Sequence, residues 1–212
     1  MAGVLITVEG IEGSGKTTQC RLLAEWLRGQ RHRVRETSEP DGSPIGAAIR
    51  AFFDAAAAPL TPLTEAFLFM AARQQHVVQV IRPALEAGLI VISDRYADAT
   101  LAYQGYGRGL DLQAIRELNA LATGGVFPDL TLLLDLDPAR GLARLGDRAR
   151  DAFEKLDLAF HQRVRQGYLE LAREEKQRIV VLDADLPQEP LHAQVVKAAG
   201  ELLAQRGLAH GV

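Results

Sequence analysis

A glycine-rich segment with one lysine lies near the N-terminus, in the stretch EGIEGSGKTTQ at residues 9–19. Its core, GIEGSGKT, matches the phosphate-loop pattern of a glycine, four further residues and then Gly-Lys-Thr. The glycines let successive backbone N–H groups turn toward phosphate oxygens, and the helix that follows adds its positive N-terminal end. Lys16 can reach the β- and γ-phosphates, and the Thr17 hydroxyl can bind Mg²⁺. We therefore expect this loop to bind a nucleoside triphosphate. The residues expected to contact it are Gly10, Ile11, Glu12, Gly13, Ser14, Gly15, Lys16, Thr17 and Thr18.

The segments around this loop alternate between strand and helix patterns, which predicts a parallel sheet covered by helices on both faces. The predicted strands are residues 4–8, 33–37, 89–93, 130–135 and 179–182. Four of the five are nearly continuous apolar runs, as expected of strands buried on both sides. The predicted helices are residues 16–28, 64–87, 112–122, 151–176 and 190–206. Pro83 should bend the second of them or end it early. The sequence therefore predicts an α/β fold with the glycine-rich loop directly after the first strand.

Composition and charge narrow the class of protein. The chain has 212 residues, enough for one domain of ordinary size, with 48% apolar and 24% charged residues. A formal net charge of -3 gives no general attraction to nucleic acid or to an anionic membrane. No apolar run approaches the roughly 20 residues of a membrane helix, and the N-terminus lacks the pattern of a secretion signal. We therefore expect one domain over residues 1–212 in the cytoplasm, with no nucleic acid or membrane as partner and a packing role for the single cysteine, Cys20.

A phosphate loop alone does not distinguish a GTPase, an ATPase motor and a small-molecule kinase. A GTPase would need the base-reading pattern N-K-x-D and the switch pattern D-x-x-G, and neither occurs in the chain. An ATPase motor would usually be longer and carry an acidic pair at the end of its second core strand. Here Asp94 and Arg95 follow the third predicted strand. An acid beside an arginine at the carboxyl edge of a parallel sheet could serve both a metal ion and an anionic acceptor, which favours a kinase.

Five sequence blocks, in the same order and at similar spacing, resemble the thymidylate kinase family. They are GIEGSGKTT, SEPDGSPIGAAIR, FLFMAARQQH, SDRYADATLAYQGYGRG and PDLTLLLDLDP, and the resemblance extends from Leu5 to about Leu182. It implies a P-loop NTPase fold with a five-stranded parallel sheet flanked by helices. It also implies transfer of the γ-phosphoryl group of ATP to dTMP, in dTTP synthesis, by a homodimer that uses Mg²⁺.

The resemblance further implies a pocket for dTMP. Phe69 and Arg73 lie four residues apart, so their side chains share one face of a helix. In the family the matching phenylalanine stacks on thymine, and the matching arginine donates to a base oxygen. Arg95 would hold the acceptor phosphate. The remaining residues expected to bind dTMP are Glu39, Thr100, Tyr103 and Gln104, and Tyr103 would close over the deoxyribose.

Two acidic residues near the phosphates also match the family. Asp94 would lie near Mg²⁺ through water, so that Thr17 and Asp94 are the expected metal residues. Glu12 would approach the acceptor's sugar and the metal, and it is expected to be catalytic together with Lys16 and Arg95. An acid among phosphates would otherwise be repulsive, so its presence indicates a donor or a cation nearby.

Charge on the transferred phosphoryl group must also be neutralised. Some family members carry an arginine in the phosphate loop, where this chain has Gly13. Others supply arginines from a lid that closes over the phosphates. The segment RLGDRARDAFE therefore predicts a mobile lid at about residues 144–152, with Arg148 and Arg150 as catalytic residues.

Two alternatives remain open from the sequence. A kinase for another nucleoside monophosphate would share the fold and the phosphate loop, but it would have no reason to repeat the acceptor residues described above. A nucleotide-binding subunit without turnover is suggested only by Ser38 and Ala152, which stand where arginines are usual in the family. A third departure, Asp41-Gly42 where a glycine pair is usual, alters the turn of the acceptor loop. Retention of Lys16, Thr17, Asp94 and Arg95 argues against this second alternative.

Overall fold

A five-stranded parallel sheet forms the centre of the molecule. The structure is a computed structural model that describes residues 3–55, 60–146 and 151–208. The strands are β1 (Val4–Glu9), β2 (Val34–Ser38), β3 (Ile90–Asp94), β4 (Leu130–Asp135) and β5 (Ile179–Asp183). Their order across the sheet is β2-β3-β1-β4-β5, and every neighbouring pair is parallel. The predicted α/β fold is confirmed, and each predicted strand lies within one residue of its observed bounds.

Helices connect the strands. In chain order they are α1 (Lys16–Gly29), α2 (Pro44–Ala55), α3 (Pro62–His76), α4 (Arg82–Glu86), α5 (Ala97–Thr100), α6 (Leu112–Thr123), α7 (Pro138–Arg144), α8 (Leu158–Glu174) and α9 (Gln188–Gln205). Two π-helical segments continue α3 and α5, at Val77–Ile81 and Leu101–Gly107 respectively. Neither α2 nor α7 was predicted from the sequence.

The helix predicted at residues 64–87 is divided into α3, a π-helical turn and α4. Within the turn the N–H of Arg82 donates to the carbonyl of Val77, five residues earlier. The next residue, Pro83, has no N–H to donate, and its ring crowds the carbonyl four residues earlier. The disturbance predicted at Pro83 therefore takes the form of a local widening that lets the helix continue to Glu86.

The helix predicted at residues 151–176 is wrong in its first part, because α8 begins only at Leu158. Asp157 caps α8, with its side chain accepting from the N–H of Phe160 at 2.7 Å. Asp151 accepts in the same way from the N–H groups of Phe153 and Glu154, each at 2.8 Å. Residues 151–156 therefore form turns that lead into the helix, since each aspartate draws backbone donors away from helical pairing.

The core lies between the central strands and the helices on both faces. All six residues of β1 are buried, and so are the first five residues of β4. β2 is at an edge of the sheet and is only partly buried, which agrees with its more polar sequence. Cys20 is buried in the core, as predicted. In the part of the chain that the structure describes, no helix is both long enough and apolar enough to cross a bilayer.

Candidate active site

The glycine-rich loop connects the end of β1 to the start of α1. Gly15, directly before α1, has φ 90°, a left-handed conformation that glycine adopts without strain. The Ser14 hydroxyl donates to the carbonyl of Ile11 at 2.8 Å, which tightens the turn. The first N–H groups of an α-helix have no partner inside the helix. The start of α1 therefore offers donors and a positive helix end to a bound anion.

Lys16 lies at the first position of α1 and is buried. Its ammonium donates to the carbonyl of Ile11 at 2.7 Å. Burial, followed by the positive charge of Arg95, lowers the pKa of Lys16 to about 8. The side chain is therefore mostly charged at pH 7, in a position where little water screens its charge.

A cleft of about 490 Å³ opens over the loop. The predicted triphosphate residues that line it are Glu12, Gly13, Gly15, Lys16, Thr17 and Thr18. The other three, Gly10, Ile11 and Ser14, do not line this cleft, and all three are buried. Their part in the loop is to shape its backbone, as the hydrogen bond between Ser14 and Ile11 shows.

Thr17 and Asp94, the expected metal residues, are in direct contact. The Thr17 hydroxyl donates to Asp94 Oδ2 at 2.5 Å, because Asp94 ends β3, the strand beside β1. Hydroxyl and carboxylate oxygens suit Mg²⁺, which usually takes one or two carboxylates from a protein and its other ligands from phosphates and water. Over residues 3–55, 60–146 and 151–208, no three His, Cys, Asp or Glu side chains are grouped to hold a metal ion. Thr17 and Asp94 offer a hydroxyl and a carboxylate oxygen, a donor set that fits a Mg²⁺ ion whose other ligands are phosphates and water.

Arg95 is held rigidly where β3 ends. Its φ of 68° is unusual for a residue with a side chain. Its N–H donates to the carbonyl of Val8 at 3.0 Å, and the Ser93 hydroxyl donates to its carbonyl at 2.7 Å. The guanidinium donates to Glu12 Oε1 at 2.8 Å and lies over the Tyr103 ring, 5.4 Å from the centroid. These contacts fix Arg95 beside the phosphate loop.

Glu12 is buried beside cationic and polar side chains, and its Oε1 is the oxygen that accepts their hydrogen bonds. Its Oε1 also accepts from the Tyr103 hydroxyl at 2.5 Å, and its Oε2 lies 3.3 Å from Nδ1 of His161. Burial would raise the pKa of Glu12, but His161 and the charges of Arg95 and Lys16 outweigh burial and hold that pKa below its ordinary value. Glu12 is therefore ionised. His161 lies on α8, far from the loop in sequence, so no local pattern could have identified it.

A second pocket adjoins Arg95 and contains the predicted acceptor residues. Its lining includes Glu39, Phe69, Arg73, Arg95, Thr100, Tyr103 and Gln104. The fold brings them together because Glu39 follows β2, α3 carries Phe69 and Arg73, and the remaining four lie between the end of β3 and the end of the second π-helical segment. All seven residues predicted for this pocket therefore converge on one site.

One face of Phe69 is not covered by the neighbouring rings. Phe53 stacks on Phe69 with the ring centroids 4.9 Å apart and an interplanar angle of 16°. The ring of Phe153 lies 5.7 Å from both of those rings, so it stands beside the stacked pair. Neither ring covers the face of Phe69 that points away from Phe53. A flat base could stack there.

Arg73 is buried, and each of its three guanidinium nitrogens contacts an acceptor. Nε donates to Glu39 Oε2 at 2.9 Å, and Nη2 donates to the carbonyl of Tyr96 at 2.9 Å and lies 2.7 Å from the same Glu39 oxygen in an ion pair. Nη1 donates to Thr100 Oγ1 at 2.9 Å and to Asn119 Oδ1 at 2.7 Å. Nη1 also lies 3.7 Å from the sulfur of Met70, so every nitrogen of this guanidinium already has an acceptor within reach. A base oxygen at Arg73 would therefore have to share a donor with one of these acceptors.

Glu39 is also held by a histidine that was not identified from the sequence. Nδ1 of His76 lies 3.2 Å from Glu39 Oε1, and its Nε2 lies 2.6 Å from the Thr37 hydroxyl. A β-carbon on Gly42 would collide with the imidazole ring. His76 therefore packs against the backbone turn that follows β2 and fixes the carboxylate that holds Arg73.

Arg50 is a further cation that the sequence analysis missed. It lies on α2 and lines both the cleft and the acceptor pocket. Its guanidinium pairs with Asp151 at 2.7 Å and with Asp54 at 3.5 Å. A signal was present in the sequence, because Arg50 is the one basic residue of a largely apolar helix. Without a prediction of α2, nothing placed it near the phosphates.

The predicted lid is described only in part. Arg148 and Arg150, the expected lid cations, lie outside the described residues. At the near end of the segment, Arg144 donates to the carbonyl of Ala184 at 2.9 Å and to the carbonyl of Gly13 in the phosphate loop at 3.4 Å. The segment predicted to be a lid therefore begins against the phosphate loop, and its role remains a prediction.

Known proteins similar to this chain identify its family. The sequence model of the thymidylate kinase family matches residues 8–195. The chain is 50% identical to a thymidylate kinase of Deinococcus radiodurans over 200 residues, which cover 94% of this chain and 97% of that protein. It is 54% identical to a thymidylate kinase of Syntrophotalea carbinolica over 190 residues, 85% of this chain and 87% of that protein. The crystal structure of thymidylate kinase from Ehrlichia chaffeensis superposes with a TM-score of 0.79 at 35% identity, covering 94% of this chain and 100% of that chain. The P-loop NTPase fold expected from the sequence is thus confirmed, and the chain belongs to the thymidylate kinase family.

Proposed function

We propose that this protein transfers the γ-phosphoryl group of ATP to dTMP, forming ADP and dTDP for dTTP synthesis. The observation that carries this proposal is the shared wall between the cleft and the acceptor pocket. Five residues line both spaces: Glu12, Glu39, Arg50, Arg95 and Asp151. A triphosphate on the loop and a monophosphate in the pocket would meet at this wall. Catalysis of phosphoryl transfer consists mainly of such positioning, together with electrostatic stabilisation.

Three cations serve the phosphates in this mechanism. Lys16 binds the β- and γ-phosphates, where its charge opposes the negative charge on the transferred group. Arg95 binds the acceptor phosphate with its remaining donors, since no described residue accepts from its Nε. Arg50 exchanges its contact with Asp151 for a phosphate oxygen, which a guanidinium binds in the same forked geometry as a carboxylate.

The acceptor's base and sugar are bound by the other end of the pocket. Thymine stacks on the uncovered face of Phe69, beside Arg73 and Gln104. Tyr103 lies over the sugar, and because Glu12 holds its hydroxyl, the ring has little freedom to make room for a ribose 2′-hydroxyl. The base and the phosphate are thus held by separate sets of residues, which orients the phosphate toward the cleft.

Mg²⁺ is the proposed cofactor, with Thr17 and Asp94 as the residues that would hold it. When bound, it would neutralise part of the charge on the β- and γ-phosphates. Glu12 stays ionised nearby and keeps Arg95 and Tyr103 in place. The lid at residues 144–152, its arginines Arg148 and Arg150, and the single domain over residues 1–212 remain predictions. We also place the protein in the cytoplasm, where ATP is available as donor.

A coupled assay of ADP release tests the proposed reaction. Purified protein with Mg²⁺ and ATP receives dTMP, CMP, AMP or GMP as the only acceptor. We expect turnover with dTMP at least about tenfold above that with any other of these acceptors, because a mismatched polar edge of the base leaves buried groups unpaired. Equal rates with purine acceptors would contradict the assignment of the pocket. ADP release that does not depend on any acceptor would indicate an ATPase.

We further propose that the protein is a homodimer that pairs through α3. Exposed residues on one face of α3 and of the π-helical turn after it form a stripe, the α3 stripe, which consists of Leu63, Phe67, Ala71, Gln74 and Val78. The three large apolar members are 47%, 52% and 50% exposed for Leu63, Phe67 and Val78. Contiguous apolar surface of this kind is typical of an association site. A second copy of the same helix could cover it through a two-fold axis.

Phe67→Glu should convert the dimer to a monomer, because the dimer would have to bury a carboxylate without a partner. Light scattering coupled to gel filtration measures the change, and we expect the dissociation constant to rise by at least about 10²-fold. Val181→Glu is the matched control, since Val181 is similarly exposed but lies on β5, at the far edge of the sheet. A monomeric wild type, or a Phe67→Glu variant that dimerises normally, would contradict the proposal.

A further inference from the structure

Glu65 is a buried carboxylate on α3. It contacts Gln104, which lies in the second π-helical segment, and Arg108, which directly follows that segment. Arg108 grips it with a two-pronged contact, Nη2 to Oε1 at 2.7 Å and Nε to Oε2 at 3.2 Å. The carboxamide of Gln104 donates from Nε2 to Oε2 of the same carboxylate at 3.3 Å. Arg108 also lies over the ring of Phe160, 5.0 Å from its centroid, which fixes the guanidinium in turn.

This arrangement determines which way the carboxamide of Gln104 points. An ionised carboxylate has only acceptors, so only the NH₂ end of the carboxamide can face it. A half-turn of the carboxamide would remove that hydrogen bond and set its oxygen against the oxygen of Glu65. Because Gln104 and Glu65 are both buried, water is not at hand to replace the lost contact.

The other end of the carboxamide faces the acceptor pocket. Gln104 lines that pocket with Phe69, Arg73 and Thr100. No residue in the described ranges donates a hydrogen bond to Gln104 Oε1, and Nε2 keeps one N–H beyond the one given to Glu65. Gln104 therefore presents two adjacent groups to the pocket: Oε1 as a hydrogen-bond acceptor and the second N–H of Nε2 as a donor.

We propose that Glu65, held by Arg108, is a positioning residue that sets the base specificity of the pocket through Gln104. The acceptor and donor that Gln104 presents match a pyrimidine whose ring N–H lies next to a carbonyl, as in thymine and uracil. Cytosine has an acceptor at that ring nitrogen and an amino group beside it, so it would meet like groups. The inference rests on the proposed function, because it needs the base to lie in this pocket.

Glu65→Gln tests the inference without a change of shape. The new carboxamide can donate as well as accept, so it no longer enforces one orientation of Gln104. We expect the ratio of kcat/KM for dTMP to that for dCMP to fall about tenfold, which corresponds to the loss of one good hydrogen bond. The loss should be mainly in KM for dTMP. The ratio for dTMP against dUMP should not change, because the two bases share the same polar edge.

Two further variants separate positioning from damage to the fold. Arg108→Lys keeps the positive charge at a partly exposed residue but loses the two-pronged contact with Glu65. We therefore expect the ratio of kcat/KM for dTMP to that for dCMP to fall by less than in Glu65→Gln. Glu25→Gln is the control, because it makes the same chemical change at an exposed residue. It should change neither the ratio of kcat/KM for dTMP to dCMP nor that for dTMP to dUMP. Thermal unfolding of each variant identifies any that is not folded at the assay temperature, and Arg108→Lys then carries the test.

The outcomes are distinguishable. Unchanged selectivity against dCMP in folded variants, with the wild type active on dTMP, would overturn the inference and leave the proposed function standing. An equal fall of kcat/KM for dTMP, dUMP and dCMP would also overturn the inference, because it would show that Glu65 has a merely structural role. A wild type that turns over no pyrimidine monophosphate would overturn both.

Discussion

Lys16→Ala is expected to lower kcat for phosphoryl transfer by about 10²–10³-fold, the usual effect of removing one prearranged donor from a developing negative charge. The ammonium is buried at the start of α1, and its charge acts there with little screening. Burial and the neighbouring Arg95 lower its pKa to about 8. Alanine has neither the charge nor the reach to the β- and γ-phosphates. The measurement is kcat from coupled ADP release at saturating ATP and dTMP.

The fold should survive the loss of Lys16, because removing a buried ammonium also removes the unfavourable burial of its charge. The melting temperature of the variant should therefore remain close to that of the wild type. Lys197→Ala, at an exposed position of α9, is the matched control and should retain full turnover. Near wild-type turnover in Lys16→Ala would remove the phosphate loop from the mechanism.

Arg95→Ala should weaken the use of the acceptor dTMP without weakening the binding of ATP. We expect kcat/KM for dTMP to fall by about 10²-fold, since a hydrogen bond to a charged group contributes about 1.5–3 kcal/mol and a guanidinium can make two. The affinity for ATP, measured by titration calorimetry without acceptor, should change little. Glu12 would keep its contacts with Tyr103 and His161, so the loop should hold its shape.

Two controls accompany that measurement. Arg95→Lys restores the charge without the fork and should recover only part of the loss. Arg21→Ala removes an exposed arginine from α1 and should have no effect on dTMP kinetics. The backbone at residue 95 has φ 68°, which is uncommon for arginine, lysine and alanine alike, so the wild type and both variants at this position carry similar strain. Unchanged kinetics for dTMP in Arg95→Ala would contradict its role at the acceptor phosphate.

The strands and the phosphate loop could be predicted from the sequence because each depends on neighbouring residues. Buried parallel strands appear as short apolar runs, and the loop has a fixed spacing of glycines before Lys16. Two helix boundaries could not be predicted in this way. Asp157 and Asp151 both hold backbone N–H groups, and only the folded chain shows that Asp157 is the one that starts α8. Pro83 was recognised as a disturbance, but the π-helical turn before it depends on how the whole helix packs.

The acceptor pocket could be predicted only as far as a family pattern reaches. The seven residues expected to bind dTMP do line one pocket. The residues that hold them could not be found, because those contacts join elements far apart in the chain. Glu65 reaches Gln104 across 39 positions, and His161 comes to Glu12 from α8. Such contacts depend on how α3 and α8 pack on the sheet, and this packing cannot be predicted from a single sequence.

The network of contacts around Arg73 has a thermodynamic consequence for ligand binding. Each of its three guanidinium nitrogens contacts an acceptor before a nucleotide arrives, so the wall around the base is already in one conformation. Ordering a long side chain on binding would otherwise remove about 0.5–1.5 kcal/mol of affinity for each residue immobilised. That conformational entropy is lost during folding, when Arg73 joins α3 to the turn after β2 and to α6. The pocket is thus preorganised, and its selectivity can depend on how well a base fits fixed groups.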